Sequence, residues 1–168
     1  LQVSAVTTPI ISDLGKYHYH AAQFEGLKPG SEYVYRLGAG ENWSAWNHFR
    51  TASDQPEAFS FLYFGDAQNA IRSHWSRVVR TAYAVAPEAK FMLHVGDLVN
   101  RQGRDSHWGE WHQAGGWVNA VMPSMAVPGN HEYAHGVGRT VDELSMYWRP
   151  QFQFPENGPE EMEETVYW

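Results

Sequence analysis

Polar and apolar positions alternate through much of the first 51 residues. YHYHAAQF (17–24), EYVYRLG (32–38) and AWNHFRT (45–51) each change character at about every second position, the period of a half-buried β-strand. Between the first two, GLKPGS (26–31) carries the Gly and Pro of a turn. The pattern shifts near ASDQPEA (52–58). FSFLYFGD (59–66) and KFMLHVGD (90–97) are continuous apolar runs ending in Gly-Asp, as strands buried on both faces read. Between them Trp75, Val78, Val79, Ala82, Val85 and Ala86 recur at helical spacing and stop before Pro87. Residues 106–121, with Trp108, Trp111, His112 and Gly115-Gly116, read as another helix, and SMAVPGN (124–130) as a third strand. This order predicts a mainly parallel α/β sheet over 54–168, preceded by a small β-domain over 1–53.

Composition narrows the partners. The net charge of −7 argues against a general affinity for nucleic acid or anionic membrane, which Lys and Arg chiefly supply. An anionic partner would need a local positive centre. With no cysteine, disulfides and thiolate metal sites are excluded. No apolar run nears the ~20 residues of a membrane span. No signal peptide is visible, although with Leu1 rather than Met in front an upstream segment stays open. Eight Trp and nine Tyr fit either a core of large rings or the binding of carbohydrate or aromatic ligands. The acidic stretch PENGPEEMEE (155–164) reads as a solvated loop.

The chemistry gathers at strand ends. Ligands of open α/β sheets bind outside the carboxyl ends of the strands, where Asp66, Asp97 and Asn130 stand one per strand. Carboxylate and amide oxygens suit hard or borderline divalent ions, and a central carboxylate can bridge two of them. Gly65, Gly96 and Gly129, each directly before one of these residues, allow tight turns and close approach of backbone to a ligand. Any one Asp after a strand is as readily a helix cap, but three matching positions point to a site.

GDAQ (65–68), GDLVN (96–100) and GNHE (129–132) together resemble the calcineurin-like metallophosphoesterases. In the first domain GLKPGSEYVYRL (26–37) resembles the fibronectin-III corner, in which Leu27, Pro29 and Tyr33 lock a turn; the resemblance is to the branch that joins a fibronectin-III-like domain to the phosphatase domain, as purple acid phosphatases do. The resemblance implies a partial fibronectin-III-like β-sandwich, then the N-terminal half of an αββα metallophosphoesterase domain. It implies hydrolysis of phosphate mono- or diesters, and an extracytoplasmic or secreted location. By it Asp66 binds one metal, Asp97 bridges two, Asn130 binds the second, and His131 contacts substrate or protonates the leaving oxygen. The metals implied are two divalent or trivalent ions, Fe, Mn or Zn. Two ions ~3.5–4 Å apart clamp a phosphoryl group and turn a bridging water into a nucleophile. They would also supply the positive field that an acidic chain lacks.

The chain departs from the family in three places. Asn100 stands where the purple enzymes carry the Tyr of GDxxY, which argues against a charge-transfer iron site. Gln68 stands where the family usually has His or Gly, and reaches the site through water or a hydrogen bond rather than as a direct ligand. The family's lone-His and GHxH motifs do not follow Asn130; His135 is the only later histidine and lies too near GNHE to replace them. Residues 1–53 are also few beside the ~100 of an immunoglobulin-type sandwich. The expectation is an internal segment of a longer enzyme, inactive by itself. Half a sheet would leave one strand edge and two apolar faces bare, to be covered by the remaining polypeptide or another chain.

Other polar residues have two readings each. His18 and His20 share one face of a predicted strand and form either a metal pair or a surface pair. His94 reads as a strand residue hydrogen-bonded behind the ligands, or as a ligand itself. Arg101 and Arg104 contact a substrate phosphate or lie in solvent. Asn100 and Glu132 join Gln68, His94 and Arg101 as residues that support the ligands or touch substrate. His74, His107 and His112 read as structural. The competing function is a non-catalytic fibronectin-III-type binding or adhesion module with a vestigial metal site. Survival of Asp66, Asp97, Asn130 and His131 together favours the enzyme.

Overall fold

The structure, a computed structural model, describes residues 1–134 and 143–168. The expectation for His135 lies outside the described residues. The chain opens with a hairpin of β1 (Val6–Ser12) and β2 (Gly15–Ala21). Next, β3 (Glu32–Tyr35), β4 (Gly38–Ala39), β5 (Asn42–Trp43) and β6 (Asn47–Arg50) pair as β3 with β6 and β4 with β5. The Tyr33 hydroxyl accepts the Lys28 N–H at 2.8 Å, and its ring stacks on Phe49 across the ladder, so the corner expected from GLKPGSEYVYRL closes as a real turn.

A parallel sheet follows, β7 (Leu62–Phe64), β8 (Met92–His94) and β9 (Ser124–Ala126), with β8 central. Strand periodicity sends Leu62, Phe64, Met92, His94 and Ala126 to one face. Helix α1 (Ser76–Val85), entered through a π turn at Ile71–Trp75, and α2 (Asp105–Gly115) cover that face. Trp75 packs edge-on against Phe64 and His94, and Trp111 edge-on against His94. The other face is open: Tyr63 is 64% and Met125 38% exposed. The expectation of burial on both faces is therefore wrong for residues 59–66. So is that of two bare faces, since the helices fill one. A continuous apolar run does not itself say whether a second layer lies over it.

The helix expected over 106–121 is two. Gly116, at φ 54°, breaks it and donates its N–H to the His112 carbonyl, ending α2 before α3 (Trp117–Val121). After β9, the short strands β10 (Tyr133–Ala134) and β11 (Glu143–Leu144) pair, and α4 (Trp148–Gln151) packs into the core. The Trp108, Trp148 and Phe152 rings meet there, so much of the aromatic load is core. The acidic stretch is not wholly solvated: Glu164 is buried and pairs with Arg149 at 3.1 Å.

Polar contacts tie the two parts together. The Tyr35 hydroxyl donates to the Ala120 carbonyl at 2.7 Å, and Arg104 pairs with Asp13 at 3.3 Å. Arg104 thus serves the domain junction. A cleft of about 890 Å³ lies between the parts at the N-terminal ends of the sheet strands, lined by Phe49, Thr51, Phe59, Phe91 and Pro123 among others. Among the described residues no helix is long and apolar enough to cross a membrane.

Candidate functional site

The three motifs meet at the opposite, carboxyl ends of β7, β8 and β9. Asp66 and Asp97 both stand at φ 53°, a left-handed backbone that few residues besides Gly, Asn and Asp adopt readily. Each turns the chain sharply as it leaves the sheet. The Asp66 N–H faces the Gly96 carbonyl at 3.4 Å, tying the first loop to the second. A methyl group placed on Gly96 would stand 2.6 Å from the backbone of Gly129, so the second and third loops are in backbone contact.

Glu132 locks that contact. Its carboxylate, fully buried, accepts the N–H groups of Asp97 (2.8 Å), Leu98 (2.9 Å), Val99 (3.2 Å) and Gly129 (2.8 Å). Burial pushes its carboxyl above the usual glutamate range, while the N–H groups pull it back. Its oxygens face backbone, so Glu132 shapes the loops rather than touching a ligand. The acidic residue after Asn-His in GNHE was visible in the sequence; its four partners appear only in the fold.

The Asp97 carboxylate is oriented from two sides. Oδ1 accepts the His131 N–H at 3.1 Å, and Oδ2 accepts the Gln68 amide Nε2 at 3.2 Å. Gln68 therefore reaches the cluster by a direct hydrogen bond. The His131 Nδ1 lies 2.8 Å from the Asn100 carbonyl. A carbonyl only accepts, so Nδ1 carries the proton and Nε2 is left for a ligand. The Asn100 side chain donates to Asn69 Oδ1 at 2.8 Å, holding the first and second loops together. Asn130 begins a 3₁₀ turn (Asn130–Glu132) and is exposed, as is Asp66. Arg101 is exposed near the cluster in sequence.

The oxygen donors fit a hard or borderline cation. Asp66 and Asn130 open to solvent, Asp97 is held by two N–H groups, and Gln68 Oε1 is buried with no hydrogen-bond partner among the described residues. Among the described residues no three of His, Asp and Glu converge as a metal site. That also bears on His18 and His20, whose rings lie 6.4 Å apart on an exposed strand, with His20 Nδ1 2.9 Å from Thr7 Oγ1.

His94 corrects an expectation. Its Nε2 is buried without a hydrogen-bond partner among the described residues, and Phe64, Trp75 and Trp111 enclose the ring. Burial lowers its pKa to about 4. The unfolded chain takes up this proton below the ordinary value of 6.5, whereas the folded chain refuses it until about 4. Stability is therefore full above pH 6.5 and falls as pH drops toward 4, by on the order of 3 kcal/mol. His94→Phe should flatten that acid limb, read from urea midpoints at several pH values between 4 and 7.5; an unchanged slope would remove His94 as its source.

Residues 2–51 match the family model "Purple acid Phosphatase, N-terminal domain". Proteins named acid phosphatase type 7 are similar: that of Danio rerio is 30% identical over 135 residues, covering 77% of this chain and 29% of the relative. That of Homo sapiens is 28% identical over 134 residues, covering 78% and 30%. The chain thus spans about three tenths of these relatives' length. A purple acid phosphatase from yellow lupin (Lupinus luteus) seeds superposes with a TM-score of 0.79 at 20% identity, over 99% of this chain and 35% of the lupin chain. The likeness covers both the β-rich part that the family model matches, residues 2–51, and the parallel α/β layer after it.

Proposed function

We propose that this chain forms part of a metal-dependent phosphatase acting on phosphate mono- or diesters, in which Asp66, Asp97 and Asn130 hold two metal ions. The meeting of three strand-end motifs, with Asp97 between its two neighbours and oriented by Gln68 and His131, carries this reading. The likeness to acid phosphatases supports the substrate class. Bound there, two ions would clamp the phosphoryl group and activate the attacking water. His131, with its proton fixed on Nδ1, presents Nε2 toward the ester and, when protonated, donates to the leaving oxygen.

On this reading the chain supplies about half of the site, and the remaining polypeptide supplies histidine ligands; these residues alone are inactive. Fe, Mn and Zn all suit the completed site, and Asn100 speaks against purple iron(III) chemistry. An extracytoplasmic location goes with the same likeness. In the full-length protein, Asp97→Asn should reduce hydrolysis of a chromogenic phosphate ester by roughly 100-fold or more, since losing merely the hydrogen-bonding support of a ligand costs up to about 100-fold. It should also lower the metal content found by elemental analysis. Equal activity and metal content in both proteins would end the proposal.

A further inference from the structure

Trp43 and Trp46 stand outside the aromatic core, 45% and 61% exposed on the β-rich part. The Arg36 guanidinium lies over both rings, 4.3 Å from the centre of Trp43 and 4.7 Å from that of Trp46. Local structure fixes this stack. Gly38 pairs with Trp43 across β4 and β5, and a methyl placed on it would stand 2.4 Å from the Trp43 ring, so the indole lies directly on bare backbone. Ser44, between the two tryptophans, donates its N–H to the Leu37 carbonyl at 2.8 Å and accepts the Leu37 N–H on its hydroxyl at 3.0 Å. Strand alternation sends Tyr33, Tyr35 and Phe49 to the face that meets the α/β part, where Tyr35 reaches Ala120. Arg36 and Trp46 stand on the opposite face with Val34 and His48, all exposed.

The stack covers the faces of the guanidinium and leaves its edge. Arg36 has no ion pair and no side-chain hydrogen bond among the described residues, so its in-plane N–H fork is open to an acceptor. That fork suits one carboxylate held by two parallel bonds. Exposed indoles beside it suit a ring with an apolar face. In a chain of net charge −7, an open guanidinium favours a ligand with isolated carboxylates over a densely charged polyphosphate. We propose that Arg36, Trp43 and Trp46 form a binding site for an acidic saccharide, whose ring stacks on an indole while its carboxylate takes the Arg36 edge. Such a site belongs to the β-rich part and stands independently of the metals.

Fluorine NMR of fluorotryptophan-labelled full-length protein, titrated with matched trimers, tests this. Trigalacturonate supplies rings and carboxylates, maltotriose rings alone, triglutamate carboxylates alone, and a thymidine trinucleotide flat bases with phosphate. Trigalacturonate should shift the Trp43 and Trp46 resonances, and maltotriose and triglutamate should each bind at least about tenfold more weakly. Trp46→Ala should weaken trigalacturonate binding by about fivefold or more, and Arg36→Lys, which keeps the charge but loses the fork, by about threefold or more. Melting temperatures near that of wild type separate lost binding from a lost fold. Should Trp46→Ala unfold, Arg36→Lys decides alone. No shift at either tryptophan, equal binding of maltotriose or triglutamate, tighter binding of the trinucleotide, or full affinity in either folded variant would each overturn the proposal.

Discussion

Glu132→Gln should cost the fold about 3–5 kcal/mol, seen as a large fall in the urea midpoint with little change in its slope. One buried carboxylate accepts four backbone N–H groups, those of Asp97 and Gly129 on Oε2 and those of Leu98 and Val99 on Oε1. Glutamine keeps one acceptor oxygen and brings an NH₂ group. Whichever way the amide lies, two N–H groups face hydrogens instead of lone pairs. Each buried donor left unpaired costs roughly 1–3 kcal/mol, and hydrogen bonds to a charged acceptor are the stronger kind. Amide exchange offers an independent measurement: Asp97, Leu98, Val99 and Gly129 should be slow in the wild type and accelerate together in the variant. A loss below about 1 kcal/mol with unchanged exchange would show that the clamp contributes little.

This clamp also shows where sequence reading stops. GD, GD and GN at three strand ends were legible because a strand's length and period fix which end a motif occupies, and a parallel sheet places like ends together. The corner at Tyr33 was legible for the same reason, its turn chemistry being local. What Glu132 grips depends on two loops separated by more than 30 residues, and no local pattern encodes that meeting. The hairpin's first strand was hidden differently. Val6–Ser12 contains Pro9, which counts against a strand, yet among the described residues β1 pairs only with β2 and leaves one edge free, where a missing N–H is tolerated. The break at Gly116 was present as Gly115-Gly116, but apolar spacing continues across it.

Burial was the least legible property. FSFLYFGD is apolar throughout, yet Phe59, Phe61 and Tyr63 are all exposed on the edge strand and its approach. Hydrophobicity records that a face is suited to cover; it does not say what covers it. His94 presents the opposite case. A polar residue in an apolar run invites a partner, and the described residues give it three aromatic rings and no acceptor or donor for Nε2.

The two GD motifs look alike in sequence, but their glycines should answer substitution differently. Gly96→Ala is expected to destabilise by about 3 kcal/mol or more and to release the loop contact on which the cluster depends. Gly65→Ala should change stability by less than about 1 kcal/mol. At Gly96 the backbone is left-handed at φ 95°, and an added methyl would sit 2.6 Å from both the Cα and N of Gly129. Backbone cannot rotate out of the way as a side chain can. At Gly65 the new methyl would meet only a Val95 methyl at 3.4 Å, an ordinary contact. The third loop mirrors the first finding: a methyl on Gly129 would lie 2.3 Å from Asp97 Oδ1. Thus Gly96 and Gly129 are small because each lies against the other's loop, whereas Gly65 has no such neighbour. Urea midpoints of the two alanine variants, with wild type alongside, decide the matter. Equal losses at Gly65 and Gly96 would mean that the motif's glycine serves its own turn rather than the packing of loop on loop.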